Sequence, residues 1–216
     1  RILNLDPPAS RRGLVQEAYL KYLRRLNEQH HTDHPQNSDL AARISNYELA
    51  ARMQTAAQAA LDISKETKST QQMYGIDQPD SQEYGTRCLI ARRLIERGVR
   101  FAQVFTKNQY WDHHGSIRTS LPASCRKTER PAAGLVKDLK QRGMLDSTVV
   151  HWGGEMGRLP VIQNDTGPSK GGRDHNTYGF SMWVAGGGMK RGYVHGQTDE
   201  FSHHAIDGIG HHYDWL

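Results

Sequence analysis

The sequence contains little cysteine and none of the common catalytic motifs. Its 216 residues include two cysteines, Cys88 and Cys125, and no CxxC pair, which argues against a thiolate metal site. No apolar run approaches the roughly 18 residues needed to cross a bilayer. A GxSxG elbow, an HExxH helix and a phosphate-binding P-loop are all absent, so no nucleophile can be recognised from these motifs.

Basic residues are numerous but are not gathered into a block. The net charge is +5 and the pI is about 9.2. Nucleic-acid binding requires a clustered Lys/Arg face, so we expect no nucleic-acid partner. We interpret the charge as a mildly basic surface, which also suits a small anionic substrate. The mean hydropathy of -0.75 is polar for an enzyme but not low enough to predict disorder.

The first 79 residues have a helical pattern. Apolar residues near helical spacing predict a helix capped by Ser10 and ended by Pro35, which cannot continue a helical hydrogen-bond ladder. A second helix is predicted to start after Ser38 and run to about residue 61, followed by a shorter one over residues 65–73. We therefore predict residues 1–79 to be a helical segment of the same domain as the rest.

From residue 80 helices and strands alternate. The predicted helices cover residues 83–97 and 131–142, with Pro131 in the first turn of the second one. The predicted strands cover residues 101–105, 148–152 and 181–185. This order predicts that residues 80–216 form an α/β sandwich with a largely parallel sheet.

Acidic residues and histidines follow these predicted strands. Nine of the twelve histidines lie after residue 112. Ligands in open α/β sheets bind beyond the carboxyl ends of strands. The residues placed there are Asp112, His114, Glu155 and Arg158, and a glycine-rich loop then leads to Arg173, Asp174 and His175.

Carboxylate and imidazole groups at such positions predict a divalent metal site. Asp112 and His114 are two residues apart and can point at one ion from an extended loop. Asp174 and His175 are adjacent and face apart, so they can reach two ions, or one ion and the substrate. Two ions about 4 Å apart would clamp the attacking and leaving oxygens of a displacement.

Each of these signals also has a simpler interpretation. An Asp-x-His pair is most often part of a surface loop, and Glu155 can be a helix-cap neighbour or a salt-bridge partner. His195 fits a turn or hairpin, and His203 and His204 are expected to be exposed. It is the joint placement at successive strand ends that favours a metal site. Arg158 or Arg173 can then hold an anionic group through two parallel hydrogen bonds.

Several stretches resemble a large bacterial family that is classed as a domain of unknown function within the alkaline-phosphatase-like superfamily. Its members are often labelled sulfatases. The matching stretches are GTRCLIARRLIERGVRF, QYWDHHG, DLKQRGMLDSTVVHWGGEMGRLP, GRDHNTYGFSMWVAGGG and GQTDEFS. The resemblance covers nearly the whole chain, and the combination of motifs is highly specific.

The resemblance implies a three-layer α/β/α fold of alkaline-phosphatase-like type, of which this chain is the C-terminal part. Family members are roughly twice this length and typically begin with a twin-arginine export signal, which implies a periplasmic or otherwise exported parent protein. The superfamily nucleophile, a serine, threonine or formylglycine, lies in the N-terminal half, which we expect to be missing here.

The resemblance also suggests roles for individual residues. Asp112 with His114 matches one ligand pair, and Asp174 with His175 matches the family's Asp-His pair. Glu155 matches the acidic residue of the GGExGR motif, and either Glu155 or Asp174 can take the ligand position that follows the strand. The family continues past HYD with an aromatic residue and then a histidine. Here Leu216 stands in place of that histidine.

The leading hypothesis is metal-assisted hydrolysis of a sulfate or phosphate ester by the full-length parent, with the fragment itself inactive. The ion would be Zn, Mn or Ca. Glu155 would serve as a ligand or neighbouring base, Arg158 would orient its motif or contact the anion, and Arg173 and His195 would contact the substrate. The alternative is a non-catalytic exported binding or surface protein that retains the hydrolase fold.

Overall fold

The structure is a computed structural model. It describes Pro8, Ser10, residues 12–163, Gly167 and residues 169–210, without the side chains of residues 52–56 and 58. The chain divides into two compact units, Arg1–Ser64 and Lys65–Leu216. The departure expected at Leu216 lies outside the described residues.

The first unit contains two long helices, α1 (Leu14–Asp33) and α2 (Ser38–Leu61). Helix α1 begins after Gly13, whose carbonyl oxygen accepts hydrogen bonds from the first turn, so the predicted capping by Ser10 is wrong. A glycine suits this position because its φ is 65°. The helix ends before Pro35, as predicted.

An ion pair and a side-chain cap hold the helices of the first unit. Arg24 Nε lies 3.2 Å from Glu48 Oε1 and joins α1 to α2. Asn37 accepts a hydrogen bond from the backbone N–H of Leu40 at 3.0 Å, which caps the start of α2. The unit is thus held by polar contacts between and at the ends of its helices.

The described residues of the second unit form three α-helices, α3 (Lys68–Met73), α4 (Gln82–Glu96) and α5 (Ile117–Gln141), and a 3-10 turn at Leu145–Ser147. Helix α4 matches its prediction, and Gly98 follows it with a φ of 87°. Helix α5 begins well before the predicted residue 131. Pro131 therefore lies inside the helix, where its burial against neighbouring side chains offsets the hydrogen bond that it cannot donate.

The core of the second unit forms where α4 and α5 enclose the segment after α3. Tyr74 is fully buried there, beside Leu89 and Leu139. Two glycines allow this close approach. A Cβ on Gly85 would lie 2.1 Å from the Tyr74 carbonyl oxygen, and one on Gly134 would lie 2.5 Å from the carbonyl oxygen of Met73.

A buried charge network borders this core. The side chain of Arg92 is 1% exposed and lies 2.8 Å from Glu66 Oε1 and 2.9 Å from Asp138 Oδ2. Asp138 also accepts hydrogen bonds from the Tyr74 hydroxyl at 3.0 Å and from Arg142 Nε at 2.8 Å. Burial, together with the neighbouring carboxylate, raises the pKa of Tyr74. Each buried charge thus has an opposite charge within hydrogen-bonding distance.

The strands are short and pair in twos. They are β1 (Val149–Trp152), β2 (Gly157–Arg158), β3 (His175–Asn176), β4 (Trp183–Gly186), β5 (Gln197–Thr198) and β6 (Ala205–Asp207). The pairs are β1 with β4, β2 with β3, and β5 with β6, and all three are antiparallel. The predicted strands at residues 148–152 and 181–185 therefore exist with shifted ends.

The expected parallel pairing is not found in the part of the chain that the structure describes. Residues 101–105 form no strand, and Phe101 is 79% exposed. A strand requires a neighbouring backbone segment as hydrogen-bond partner, and none pairs with residues 101–105 in the described part of the chain; the Phe105 carbonyl instead accepts from the Arg87 side chain. The three-layer sandwich stays a prediction. None of the described helices is long and apolar enough to cross a membrane.

Candidate metal centre

The loop that carries Asp112 and His114 is a series of tight turns between α4 and α5. Asn108 enters it with a φ of 50°. Backbone hydrogen bonds link Asp112 N to the Gln109 carbonyl and His114 N to the Asp112 carbonyl. The buried Ser124 hydroxyl of α5 donates to the Tyr110 carbonyl at 3.1 Å. The loop is therefore anchored on a helix, which limits the freedom of both side chains.

A second loop brings Arg158 and His175 together. These residues are directly opposite each other in the β2–β3 pair, so their side chains share a face. Gly157 must be a glycine, because a Cβ there would lie 2.1 Å from the Gly179 carbonyl oxygen. The N–H of Arg173 donates to the His113 carbonyl at 2.9 Å, which ties this loop to the first one.

Three side chains converge on one oxygen, Asp112 Oδ1. It lies 2.8 Å from His114 Nε2, 3.0 Å from His175 Nε2 and 2.5 Å from Arg158 Nη1. The hydrogen bond from His175 lowers the pKa of Asp112. Arg158 lowers it further, against the opposing effect of partial burial. We call Asp112, His114 and His175 the Asp112 cluster; their donor atoms all lie within 4.8 Å of one another.

The donor set of the Asp112 cluster fits a divalent transition metal. One carboxylate and two imidazoles are common ligands, and three protein ligands leave a position for water or substrate. Two donors bound to a tetrahedral ion at 2.0–2.1 Å lie about 3.3 Å apart. The oxygen–nitrogen distances of 2.8 and 3.0 Å are slightly shorter, so the ligands must separate by a few tenths of an ångström.

Gln163 orients one imidazole of the cluster, which sequence reasoning missed. Gln163 Oε1 lies 2.7 Å from His114 Nδ1. An amide oxygen only accepts, so Nδ1 carries a proton, and Nε2 is the ring nitrogen that faces Asp112 Oδ1. A hydrogen bond to the non-ligating nitrogen is typical of metal-bound histidine. Gln163 has no motif and is distant in sequence, so no local signal marks it.

Asp174 is beside the cluster rather than within it. Its Oδ1 accepts a hydrogen bond from the N–H of His175 at 2.8 Å and lies 3.8 Å from His114 Nδ1. Its side chain is 51% exposed. Of these two adjacent residues, His175 therefore belongs to the Asp112 cluster, whereas the carboxylate of Asp174 lies outside it and stabilises the loop through its hydrogen bond to the backbone.

The other candidate residues make no contact with the Asp112 cluster in the described part of the chain. Glu155 is exposed in the turn between β1 and β2. Arg173 donates through Nη1 to the Leu159 carbonyl at 3.1 Å and so supports its own loop. His195 is exposed near the β5–β6 pair, with its ring 6.3 Å from that of Tyr193.

The half-buried His113 contacts the buried Ser124 of α5. Ser124 Oγ lies 3.4 Å from His113 Nε2 and donates its proton to a backbone carbonyl. Burial lowers the pKa of His113, and the nearby charge of Arg158 adds to this. A hydroxyl that is buried and already donating is a support for the loop, not a nucleophile.

A second cluster, missed from the sequence, lies between β5 and β6. It consists of Asp199, His203 and His204, which we call the Asp199 cluster. Hydrogen bonds from the backbone N–H groups of His203 and His204 lower the pKa of Asp199. The two adjacent histidines had been expected to be exposed, and His203 is half-buried. The DEFSHH spacing was the available signal.

The buried Asn176 links β3 to this second cluster. Its amide nitrogen donates to the His203 carbonyl at 2.8 Å, and its amide oxygen accepts from the N–H of Tyr178 at 3.0 Å. His175, the preceding residue, belongs to the Asp112 cluster. One short strand therefore supports both clusters with successive side chains.

Comparison with known proteins places the chain in one family. Residues 1–215 match the family described as "Protein of unknown function (DUF1501)", and the chain belongs to that family. No curated protein and no solved structure matches it.

Proposed function

We propose that the Asp112 cluster binds a divalent metal ion. The observation that carries this proposal is the convergence of one carboxylate and two imidazoles from two separate loops on donor positions within 4.8 Å of one another. The orientation of His114 by Gln163 supports it, because the hydrogen bond engages Nδ1 and directs Nε2 toward the other members of the cluster. Zn and Mn suit these ligands better than Ca, which prefers oxygen donors.

We further propose that the full-length protein containing this chain hydrolyses a sulfate or phosphate ester. A bound divalent ion would supply Lewis acidity toward the ester oxygens. Arg158, which is 26% exposed, would shift from Asp112 to the anionic group of a small ester. Glu155 is exposed in the next turn and is the available base, while the nucleophile would come from outside this chain. The resemblance to sulfatase-like proteins supports this assignment.

The second candidate is a non-catalytic exported binding or surface protein. The ion pair between Arg158 and Asp112 favours it, because the guanidinium neutralises the oxygen that an ion would use. The two candidates differ in metal content: the hydrolase requires about one or two ions per chain, whereas the binding protein requires none.

Metal binding to the purified chain tests the first step. Titration with Zn²⁺, followed at the imidazole ¹⁵N resonances of His114 and His175, should give saturable binding that Asp112→Asn weakens by more than about 10-fold, since loss of even a hydrogen-bond partner of a metal ligand costs that much. Asp146→Asn is the matched control, because Asp146 is exposed in the turn before β1. Equal affinity for the two variants would refute the assignment of the cluster.

The full-length protein tests the second step. Hydrolysis of aryl sulfate and aryl phosphate should depend on added Zn, Mn or Ca and should be lost in Asp112→Asn. If the Asp112 cluster binds metal tightly but the protein hydrolyses neither ester, the result would favour the non-catalytic binding protein, and the ion would then have a structural role. Absence of both metal binding and activity would remove the hydrolase proposal.

A further inference from the structure

The turn that carries the Asp199 cluster is held by its own carboxylate. His203 N donates to Asp199 Oδ1 at 2.7 Å, and His204 N donates to Asp199 Oδ2 at 3.0 Å. Asp199 N in turn donates to the His204 carbonyl at 2.9 Å. These bonds account for the carboxylate as a structural cap. They involve only the backbone N–H groups of the two histidines and not their imidazoles.

The donor atoms of this cluster have the spacing of metal ligands. His204 Nδ1 lies 3.4 Å from Asp199 Oδ2, close to the 3.3 Å or so that separates two donors on a tetrahedral ion. All three donor atoms lie within 4.8 Å of one another. Each carboxylate oxygen keeps a lone pair after accepting one backbone N–H, so Asp199 can coordinate without releasing the turn.

Neighbouring groups hold the two imidazoles in place. The ring of His203 lies 4.3 Å from that of His204, and the ring of Tyr178 lies 4.7 Å from that of His204. Asn176, only 1% exposed, fixes the backbone of His203 through its amide. Ligands positioned before an ion arrives lose less conformational freedom on binding it.

We propose that Asp199, His203 and His204 form a second site for a divalent transition metal of the zinc type. Two imidazoles and one carboxylate select such an ion over Ca²⁺ or Mg²⁺, which take oxygen donors. Since His204 is exposed, the fourth position opens to solvent. This site does not depend on the proposed hydrolysis or on the Asp112 cluster.

The experiment separates this site from the first cluster and from surface histidines. Zn²⁺ is titrated against a chromophoric competitor with the whole chain carrying Asp112→Asn. Two further variants are made in this Asp112→Asn chain. One carries His203→Gln with His204→Gln, and the other carries the control pair His30→Gln with His34→Gln. The control also removes two contacting imidazoles, whose rings are 4.4 Å apart at the C-terminal end of α1. It removes no carboxylate-linked site.

The Asp112→Asn chain should keep about one tight Zn²⁺. The His203/His204 variant should lose this ion, and the His30/His34 variant should keep it. Retention of the ion by the His203/His204 variant, or its loss from the control instead, would overturn the proposal. If the Asp112→Asn chain binds as many Zn²⁺ ions as the unaltered chain, the result would count against the Asp112 cluster alone.

A second measurement guards against misfolding of the double variant. In the unaltered chain, the imidazole ¹⁵N resonances of His203 and His204 should shift on addition of one equivalent of Zn²⁺ beyond that bound by the Asp112 cluster. Resonances that stay unmoved at saturation would overturn the proposal without any substitution. Co²⁺ in place of Zn²⁺ should give the visible absorption of a tetrahedral site in the Asp112→Asn chain.

Discussion

Replacing Arg92 should destabilise the second unit more than any exposed arginine does. Removing one partner of a buried ion pair typically costs 3–5 kcal/mol, because the remaining charge is left uncompensated. Arg92→Ala leaves Asp138 with Arg142 and Tyr74, and leaves Glu66 with Arg93. Because these partners remain, we expect the lower end of that range, about 3 kcal/mol.

Arg92→Met separates charge from packing in this prediction. Methionine keeps much of the aliphatic volume that arginine buries, so loss of packing alone would cost less than about 1.5 kcal/mol. We expect Arg92→Met to lose nearly as much stability as Arg92→Ala, because both remove the same buried positive charge from beside Glu66 and Asp138. The matched control is Arg126→Ala. Its ion pair with Asp80 is 3.8 Å long and exposed, and should contribute about 0–1 kcal/mol.

Urea denaturation followed by tryptophan fluorescence provides the assay. All four tryptophans lie in Lys65–Leu216, so the signal reports the unit that contains the network. An Arg92→Ala midpoint within error of that of Arg126→Ala would refute the reasoning, as would an Arg92→Met protein as stable as the unaltered chain. Either result would mean that desolvation of these charges cancels their attraction.

The same network predicts a dependence on pH. Burial acts to raise the pKa of Glu66, but hydrogen bonds from Arg93 and Arg92 outweigh it and the pKa is lowered. A lowered folded-state pKa gives stability that is present above the ordinary glutamate value and is lost as the pH falls through the lowered one. Arg92→Ala should therefore unfold in acid at a higher pH than the unaltered chain.

Three further predictions concern the Asp112 cluster and the thiols. Gln163→Leu should weaken metal binding about 10- to 100-fold by freeing the His114 ring, with no comparable loss of folding stability in urea. Gly172→Ala should destabilise the loop, because its Cβ would lie 2.1 Å from the His114 carbonyl carbon; Gly115→Ala, with 3.5 Å to the nearest atom, should be tolerated in the same melt. Cys125 should react with a thiol reagent at pH 8 well before Cys88, since burial raises the pKa of Cys88 to about 12; equal rates would contradict this.

Local patterns predicted the helices better than the pairing of strands. Helix α4 and the positive φ of Gly98 follow from apolar spacing and a terminal glycine, which act within a few residues. The start of α5 was missed because Pro131 was interpreted as a first-turn residue. The antiparallel pairing of β1 with β4 depends on contacts between residues that are far apart in the sequence, and no local pattern encodes such contacts.

The candidate site was predicted in part for a similar reason. Asp112, His114 and His175 have residue types that are common among metal ligands, and their loops follow recognisable elements. The places of Glu155 and His195 depend on how loops turn, and both are exposed away from any contact with the cluster in the described residues. Gln163 carries no motif, so only its contact with His114 identifies it, whereas the Asp199 cluster had a signal in its DEFSHH spacing that went unused.

The separation of 63 positions between Asp112 and His175 has a consequence for biosynthesis. A nascent chain cannot assemble the cluster until the strand with the last imidazole has emerged from the ribosome and paired with β2. Contacts between residues so distant in sequence form late, because a long loop must close first. An ion added during refolding would therefore report the final stage of folding, and a chain that stops before β3 would capture none at this cluster.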